Sequence, residues 1–165
     1  MQKIPVQRIF IVGVLLWLSA WGNGYAQNTT PFDRLAGHWA GSGTIDLSSG
    51  AREPIRCRAS YDILGRKPEL QLDIRCASDS YNFNLLGSAK YSAGKVTGTW
   101  SESTRNAAGT ISGKVDGDRI QVLAKGPNFS ANLMLITHGQ QQSVDIKSQD
   151  KKSSVTGASI TLQRS

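Results

Sequence analysis

The chain has 165 residues, of which 39% are hydrophobic and 19% are charged. This length suits one domain rather than two, and the balance is that of a globular chain rather than a disordered one. The net charge of +7 comes without a basic run on a helix or a basic tail, so composition disfavours a nucleic-acid-binding protein.

The first 26 residues have the pattern of a secretory signal peptide. Two basic residues come first, residues 9–21 form an apolar run, and Gly24 and Ala26 are the small residues of a cleavage site. The apolar run is shorter than the roughly 20 residues that a membrane span needs. We therefore predict cleavage after Ala26, a periplasmic or secreted protein, and a single domain over residues 27–165. An uncleaved N-terminal anchor is the alternative.

The rest of the chain shows strand patterns, with no window of sustained helical spacing. Alternating runs are broken by Gly, Asn, Asp and Ser about every 10 to 15 residues, which is typical of an all-β protein. One short helical turn is expected before the first strand, since Thr30 can cap it and Pro31 suits its first position. The predicted strands are roughly 37–47, 54–63, 69–77, 80–91, 94–103, 107–115, 118–126, 128–137, 141–149 and 153–164. We predict an antiparallel up-and-down β-barrel of about 8–10 strands, with a two-sheet sandwich as the alternative.

The hairpin that carries both cysteines has the best-determined register. If its turn is 65–68, Cys57 faces Cys76 and Tyr61 faces Leu72 on an apolar face. A shift of the pairing by one residue would mix apolar and polar residues on both faces of the hairpin. Facing cysteines lie within reach of a disulfide bond, and an oxidising compartment favours one. We predict the bridge Cys57–Cys76, which closes a loop of roughly 20 residues and stabilises the fold by about 3 kcal/mol. Two free thiols are the alternative, and no metal site is expected because no histidine lies nearby.

The polar face of the same hairpin is basic. Arg58 is predicted to face Arg75 directly, with Arg56 alongside. Like charges in facing positions destabilise a sheet unless they are screened. This basic outer face is either a solvated surface or a patch for an acidic partner, such as anionic polysaccharide, lipid headgroups or an acidic protein.

The first and last strands resemble those of the lipocalins and related calycin barrels. A short turn leads into a Gly-X-Trp first strand at residues 37–39, and Arg164 falls in phase with the apolar face of the last strand. In those barrels the Trp closes one end and an Arg of the last strand packs across it. The resemblance therefore implies that Trp39 and Arg164 meet. A second Gly-X-Trp, at residues 98–100, is loosely similar to strands of avidin-like calycins, and the whole chain is similar to small exported β-barrel proteins of bacteria.

The inward positions predict a barrel interior that contains aromatic side chains and glycines. The candidate ligand-binding residues are Trp39, Tyr61, Tyr81, Phe83, Trp100 and Arg164. The glycines among them, such as Gly41, Gly43, Gly98 and Gly113, leave either a cavity or room for tight curvature. A cavity lined in this way suits a small hydrophobic or amphipathic ligand, and a filled core is the alternative.

Catalytic machinery is not evident. His38 should point outward and His138 is expected in a turn, so neither is placed as a general base. Glu102 has two open placements, an interior pair with Arg164 or Arg105, or the barrel rim in water, which we prefer. We therefore predict no enzyme, no cofactor and no metal.

The sequence thus predicts an exported, monomeric, non-catalytic protein that binds a small hydrophobic or amphipathic ligand in its barrel. The alternative is an interaction module or inhibitor that acts on an acidic partner through Arg56, Arg58 and Arg75. An outer-membrane barrel is disfavoured, because the outward residues are Thr, Ser, Lys and Arg rather than an apolar band.

Overall fold

The computed structural model describes residues 29–65 and 69–165, and the predicted signal peptide, residues 1–26, lies outside them. A 3-10 helix at Pro31–Arg34 forms where a helical turn was predicted. The strands that follow are β1 (Gly37–Leu47), β2 (Arg52–Ile63), β3 (Glu69–Ala77), β4 (Asn82–Ser92), β5 (Lys95–Glu102), β6 (Ala107–Asp116), β7 (Arg119–Gly126), β8 (Phe129–His138), β9 (Gln141–Ser148) and β10 (Val155–Arg164). Each strand begins and ends within two residues of its predicted limits.

The ten strands form one closed antiparallel barrel. Each strand pairs with its neighbours in sequence, and β1 also pairs with β10, so the described sheet has no free edge. The predicted up-and-down barrel is confirmed, and the sandwich alternative is wrong. Because consecutive strands run in opposite directions, the 3-10 helix and the β8–β9 turn lie at one end, which we call the closed end. The β1–β2, β3–β4, β5–β6, β7–β8 and β9–β10 turns lie at the other, which we call the open end.

The β2–β3 hairpin has the predicted register. Cys57 pairs with Cys76, their Cα atoms are 4.1 Å apart, and the two sulfurs form a disulfide bond. Tyr61 pairs with Leu72 on the same inward face. The alternative of two free thiols is wrong for this structure. The disulfide ties β2 to β3 on the inner wall of the barrel.

Glycines allow neighbouring strands to approach closely on two opposite sides of the barrel. A Cβ added to Gly41 or Gly43 of β1 would lie 2.0 Å from a backbone oxygen of β10. In β5 and β6, a Cβ on Gly98, Gly109 or Gly113 would lie 1.9–2.0 Å from a backbone oxygen of the neighbouring strand. Only glycine permits such close approaches, so these glycines serve curvature. In the ring of ten strands the approach at β1–β10 lies opposite the approaches at β4–β5 and β6–β7. The strands β1–β5 and β6–β10 face each other across the interior.

Candidate functional site

Charged side chains are confined to the ends of the barrel's inner surface. Among the described residues, the charged residues at inward positions are Glu53, Glu102 and Arg164, and each lies at a strand end. All three are hydrogen-bonded to neighbouring protein groups. Buried charge is costly unless it is paired in this way. The middle of the interior is therefore uncharged and presents mainly apolar side chains.

The 3-10 helix seals the closed end. Phe32 and Leu35 are buried beneath it, and the Phe32 ring meets the edge of Tyr91 with the ring centres 6.3 Å apart. Trp39 is also buried, and its indole N–H donates a hydrogen bond of 2.7 Å to the carbonyl oxygen of Leu35. This bond satisfies the polar atom of a ring that otherwise packs as a hydrophobic plug.

Arg164 completes the seal from β10. It pairs with Trp39 across the closing seam, and its guanidinium carbon lies 4.3 Å from the centre of the indole ring. The guanidinium also donates hydrogen bonds to the carbonyl oxygens of Ala36 and Arg34. The meeting of Trp39 and Arg164 that the calycin resemblance implied is therefore present. Both side chains are engaged in closing the barrel.

A buried polar chain lies beside this seal. The Tyr61 hydroxyl donates to Oε1 of Gln142 at 3.1 Å, and Nε2 of Gln142 donates to the Thr137 hydroxyl at 3.3 Å. Burial raises the pKa of Tyr61 above its ordinary value, so the phenol stays neutral and acts as the donor. Sequence reasoning missed Gln142. Its signal is a polar residue in phase with the inward Val144 and Ile146.

The middle of the barrel is less filled than its closed end. Inward side chains of β1 and β2 such as Ile45 and Ile55 are only 1% and 2% exposed. In contrast, inward aliphatic residues are only half-buried on several other strands. They include Ile111 on β6 and Val122 on β7. The others on facing parts of the wall are Leu72 and Ile74 on β3, Leu85 on β4, Leu133 and Leu135 on β8, and Val144 and Ile146 on β9.

The half-buried residues on β3–β4 and those on β8–β9 lie on opposite sides of the barrel. In the ring of strands, β3 and β4 lie directly opposite β8 and β9. Inward side chains that packed against each other across the interior would cover one another. Their partial exposure indicates that packing across the interior is less complete here than at the closed end, although most of them also contact the buried core. Barrels of about eight strands are just filled by their own side chains, and the interior widens as strands are added.

Aromatic side chains surround the open end. Tyr81 and Phe83 stack with their ring centres 6.2 Å apart, and Trp100 and Phe129 meet edge to face at 5.4 Å. Phe129 is exposed at the rim. The buried indole N–H of Trp100 has no hydrogen-bond partner among the described residues.

Glu102 fixes the β5–β6 turn at this open end. One carboxylate oxygen accepts hydrogen bonds from the backbone N–H groups of Asn84 and Thr104 at 2.9 and 3.0 Å, and the other accepts the Arg105 N–H at 3.0 Å. Burial raises the pKa of Glu102, but the Thr104 hydroxyl and these N–H groups outweigh burial and lower it to about 2. The preferred prediction, a carboxylate at the rim in water, is wrong in its solvation, because Glu102 lies at the open end but is only 7% exposed. Its pairing with Arg105 is the one that the alternative named.

Arg105 lies across the aromatic rings of the rim. Its guanidinium carbon is 4.6 Å from the centre of the Phe83 ring and 5.8 Å from that of Tyr81. Nη1 donates to the carbonyl oxygen of Asn82 at 3.1 Å and lies 3.4 Å from the Glu102 carboxylate. The guanidinium is thus held in one place at the mouth of the barrel.

The structure divides the six candidate ligand-binding residues between the two ends. One group, Trp39, Tyr61 and Arg164, builds the seal and its polar neighbour. The other group is at the open end and consists of Tyr81, Phe83 and Trp100. The half-buried aliphatic residues between the two ends were not among the candidates.

The basic outer face has the predicted arrangement. Arg58 pairs with Arg75, Arg56 lies two positions along β2, and all three are exposed. Arg75 is paired with Asp73 at 3.2 Å. Arg56 and Arg58 form no ion pair within the described residues, so two positive charges of this face are not neutralised there.

Histidine does not lie in the barrel interior. His38 is exposed, and His138 lies 2.7 Å from the Asp118 carboxylate on the surface. Across residues 29–65 and 69–165, no group of three or more His, Cys, Asp or Glu side chains is placed to hold a metal ion. The same residues include no helix with the length and hydropathy to cross a membrane.

Similarity to known proteins is found in structure rather than in sequence. No protein-family model matches the chain, and no curated protein sequence matches it. The structure of Rv2717c from M. tuberculosis matches with a TM-score of 0.66 and 14% identity, covering 83% of this chain and 98% of that chain. The S-type phycobiliprotein lyase CPES from Guillardia theta matches with a TM-score of 0.54 and 13% identity, covering 81% and 90%. These likenesses show a calycin-like barrel fold.

Proposed function

We propose that the protein is a non-catalytic binding protein that holds a small hydrophobic or amphipathic ligand inside its barrel. The observation that carries this proposal is the incomplete burial of inward aliphatic residues on β3–β4 and on β8–β9, which lie opposite each other in the ring of strands. The calycin-like fold supports it, since such barrels are typical ligand-binding scaffolds. Fold alone would be insufficient, because one fold hosts many functions.

The chemistry of the interior indicates the class of ligand. Its middle holds no charged side chain among the described residues, so a buried ionic group would lack a partner there. Apolar groups would instead gain about 0.8 kcal/mol for each CH₂ removed from water. The seal at Trp39 leaves the open end as the side from which a ligand would enter.

The same proposal includes two further statements. The protein has no catalytic activity, and it is exported from the cytoplasm. Acyl transfer needs a nucleophile and a base in contact. Within the described residues, neither His38 nor His138 is hydrogen-bonded to a serine or threonine hydroxyl, and the one ion pair of His138 lies on the outer surface. The sequence of residues 1–26 supports export to the periplasm or the medium.

Titration with N-phenyl-1-naphthylamine, a neutral apolar fluorophore, tests the proposal. Wild-type protein should bind it saturably at one site. Leu133→Trp fills the space between the walls and should weaken binding at least about tenfold, which corresponds to roughly 1.4 kcal/mol. Asn132→Trp adds the same ring one residue away on the outer surface and should leave binding unchanged. Absence of saturable uptake by the wild type, or equal loss in both variants, would contradict an interior site.

A second candidate function rests on the basic outer face. Arg58 and Arg75 occupy facing positions although like charges there are unfavourable. We propose an anionic partner as the alternative role. Wild-type protein should then leave a heparin column at higher salt than the double variant R58E/R75E. The control K114E/K125E makes the same charge change on exposed outward positions of β6 and β7. Equal elution of the two double variants would exclude this face as the binding site.

A further inference from the structure

Resting on the proposed function, we infer that the ligand is an amphiphile with an anionic head group, which Arg105 binds at the open end while the apolar body enters the barrel. The head group would be an oxyanion, as in a carboxylate or a phosphate monoester. Nothing in the binding proposal itself requires a charged ligand, so this inference can fail while the binding proposal stands.

The position of the Arg105 guanidinium is the first support. Phe83 pairs with Cys76, whose disulfide bond lies on the inner wall, so the Phe83 ring also belongs to the interior. A guanidinium whose carbon lies 4.6 Å from the centre of that ring is therefore over the mouth of the barrel rather than on its outer surface. A head group bound there would leave its chain directed between the half-buried walls.

The second support is that the Arg105 side chain is held in one position but still has hydrogen-bond donors that contact no protein group in the described part of the chain. Nη1 takes part in all of its side-chain hydrogen bonds, to Asn82, Glu102 and Thr104. Nε and Nη2 have no hydrogen-bond partner within the described part of the chain. The side chain is 45% exposed, so these donors are open to a ligand. Donors in a planar fork match the geometry of a carboxylate or phosphate, and a guanidinium that is already ordered loses less entropy when it binds.

The Glu102 carboxylate only partly offsets this charge. Its two oxygens already accept backbone N–H groups from Asn84, Thr104 and Arg105. Its negative charge is therefore shared among several donors, and the guanidinium lies at the far limit of its contacts at 3.4 Å. Glu102 acts as a positioning residue, since it orders the turn that carries Arg105.

Arg164, the cation at an inward strand position, is not available to a ligand. Arg164 lies at the opposite, closed end, where it stacks on Trp39 and donates to the carbonyl oxygens of Ala36 and Arg34. Arg105 is consequently the cation that would set the direction of the ligand, with the anionic end at the mouth and the apolar end toward the seal.

The test compares the fluorescent fatty acid cis-parinaric acid with its methyl ester on the purified protein. Wild-type protein should bind the acid about tenfold more tightly than the ester, the size expected for one charge-assisted hydrogen-bonded pair. Arg105→Gln should abolish this preference while still binding the ester, and Arg105→Lys should retain part of it. Arg52→Gln is the matched control, since Arg52 is exposed at the same end and paired with Asp46 outside the barrel.

The ratio of the affinities for the acid and for the ester shows whether Arg105 contacts the ligand or has only a structural role. Equal weakening of acid and ester in Arg105→Gln, or an unchanged preference in that variant, would overturn the inference and leave the binding proposal intact. Failure of the wild type to bind either probe would overturn both. Displacement of bound parinaric acid by dodecanoate and by dodecyl phosphate then shows which oxyanion is preferred.

Discussion

Replacement of Glu102 by Gln should remove a pH-dependent contribution to the stability of the barrel. The side chain lies at the end of β5, where its carboxylate joins the β5–β6 turn to the first residues of β4. Glutamine has nearly the same shape and can still accept a hydrogen bond, but it carries no charge. The variant therefore tests the charge of Glu102 with little change in packing.

The magnitude follows from the pKa of this carboxyl. Burial raises it, but the hydrogen bonds from Thr104, Asn84 and Arg105 lower it to about 2 from a usual value of 4.5. A group whose pKa is lower in the folded state stabilises that state above its unfolded pKa, and this stabilisation is lost as pH falls toward the folded pKa. The difference between these two pKa values corresponds to a contribution of at most about 3 kcal/mol to the free energy of unfolding. Solvent screening at the rim reduces this contribution to about 2 kcal/mol.

Urea unfolding at pH 7, 5, 3 and 2 is the appropriate assay. Glu102→Gln should have a free energy of unfolding about 2 kcal/mol below wild type at pH 7, and the gap should narrow below pH 4.5 and close near pH 2. Glu69→Gln is the control, because Glu69 forms only a 3.9 Å pair with exposed Lys90 and should lose less than about 1 kcal/mol. A gap that stays constant down to pH 2 would refute the role of charge, and no gap at pH 7 would refute the role of the hydrogen bonds.

Two further variants address the disulfide bond and the close approach of β5 to β4 at Gly98. The double variant C57A/C76A opens a link between residues 19 apart in sequence, so its free energy of unfolding should fall by about 3 kcal/mol in a urea melt. Reductant should cause the same loss in wild type and none in the variant; a variant that also responds would contradict this. Gly98→Ala places a Cβ 1.9 Å from a backbone oxygen of β4 and should cost about 3 kcal/mol, whereas outward Thr97→Ala should cost about 0.5 kcal/mol or less. A Gly98→Ala variant as stable as wild type would show that β4 and β5 can move apart at this position without loss of stability.

Strand positions and register were predictable because each barrel strand has one face toward the interior and one face toward solvent. The alternation of Val144 and Ile146 with polar residues reports which side of the wall a residue occupies. The facing of Cys57 and Cys76 follows from the same alternation in two adjacent strands, because only one register keeps both faces consistent.

The alternation of apolar and polar residues does not show how far along the barrel axis a residue lies. Trp39 and Trp100 have equivalent inward patterns, yet one plugs the closed end and the other lies at the open end. Arg105 could not be predicted at the mouth, because it lies in a turn without periodicity and is positioned by groups about 20 residues away, such as Asn82. Whether the walls at β3–β4 and β8–β9 meet depends on side-chain volume across the whole interior, which no local pattern contains.

The seam between β1 and β10 has a consequence for how the barrel folds and unfolds. These strands are hydrogen-bonded neighbours although more than 100 residues separate them in sequence, so the ring cannot close until its last strand is in place. Detachment of either strand would expose two long edges able to pair with another molecule. Such long-range closure raises the contact order, which favours slow folding. It also makes the ten strands one cooperative unit, so backbone amides around the ring should exchange with solvent through a common global opening rather than strand by strand.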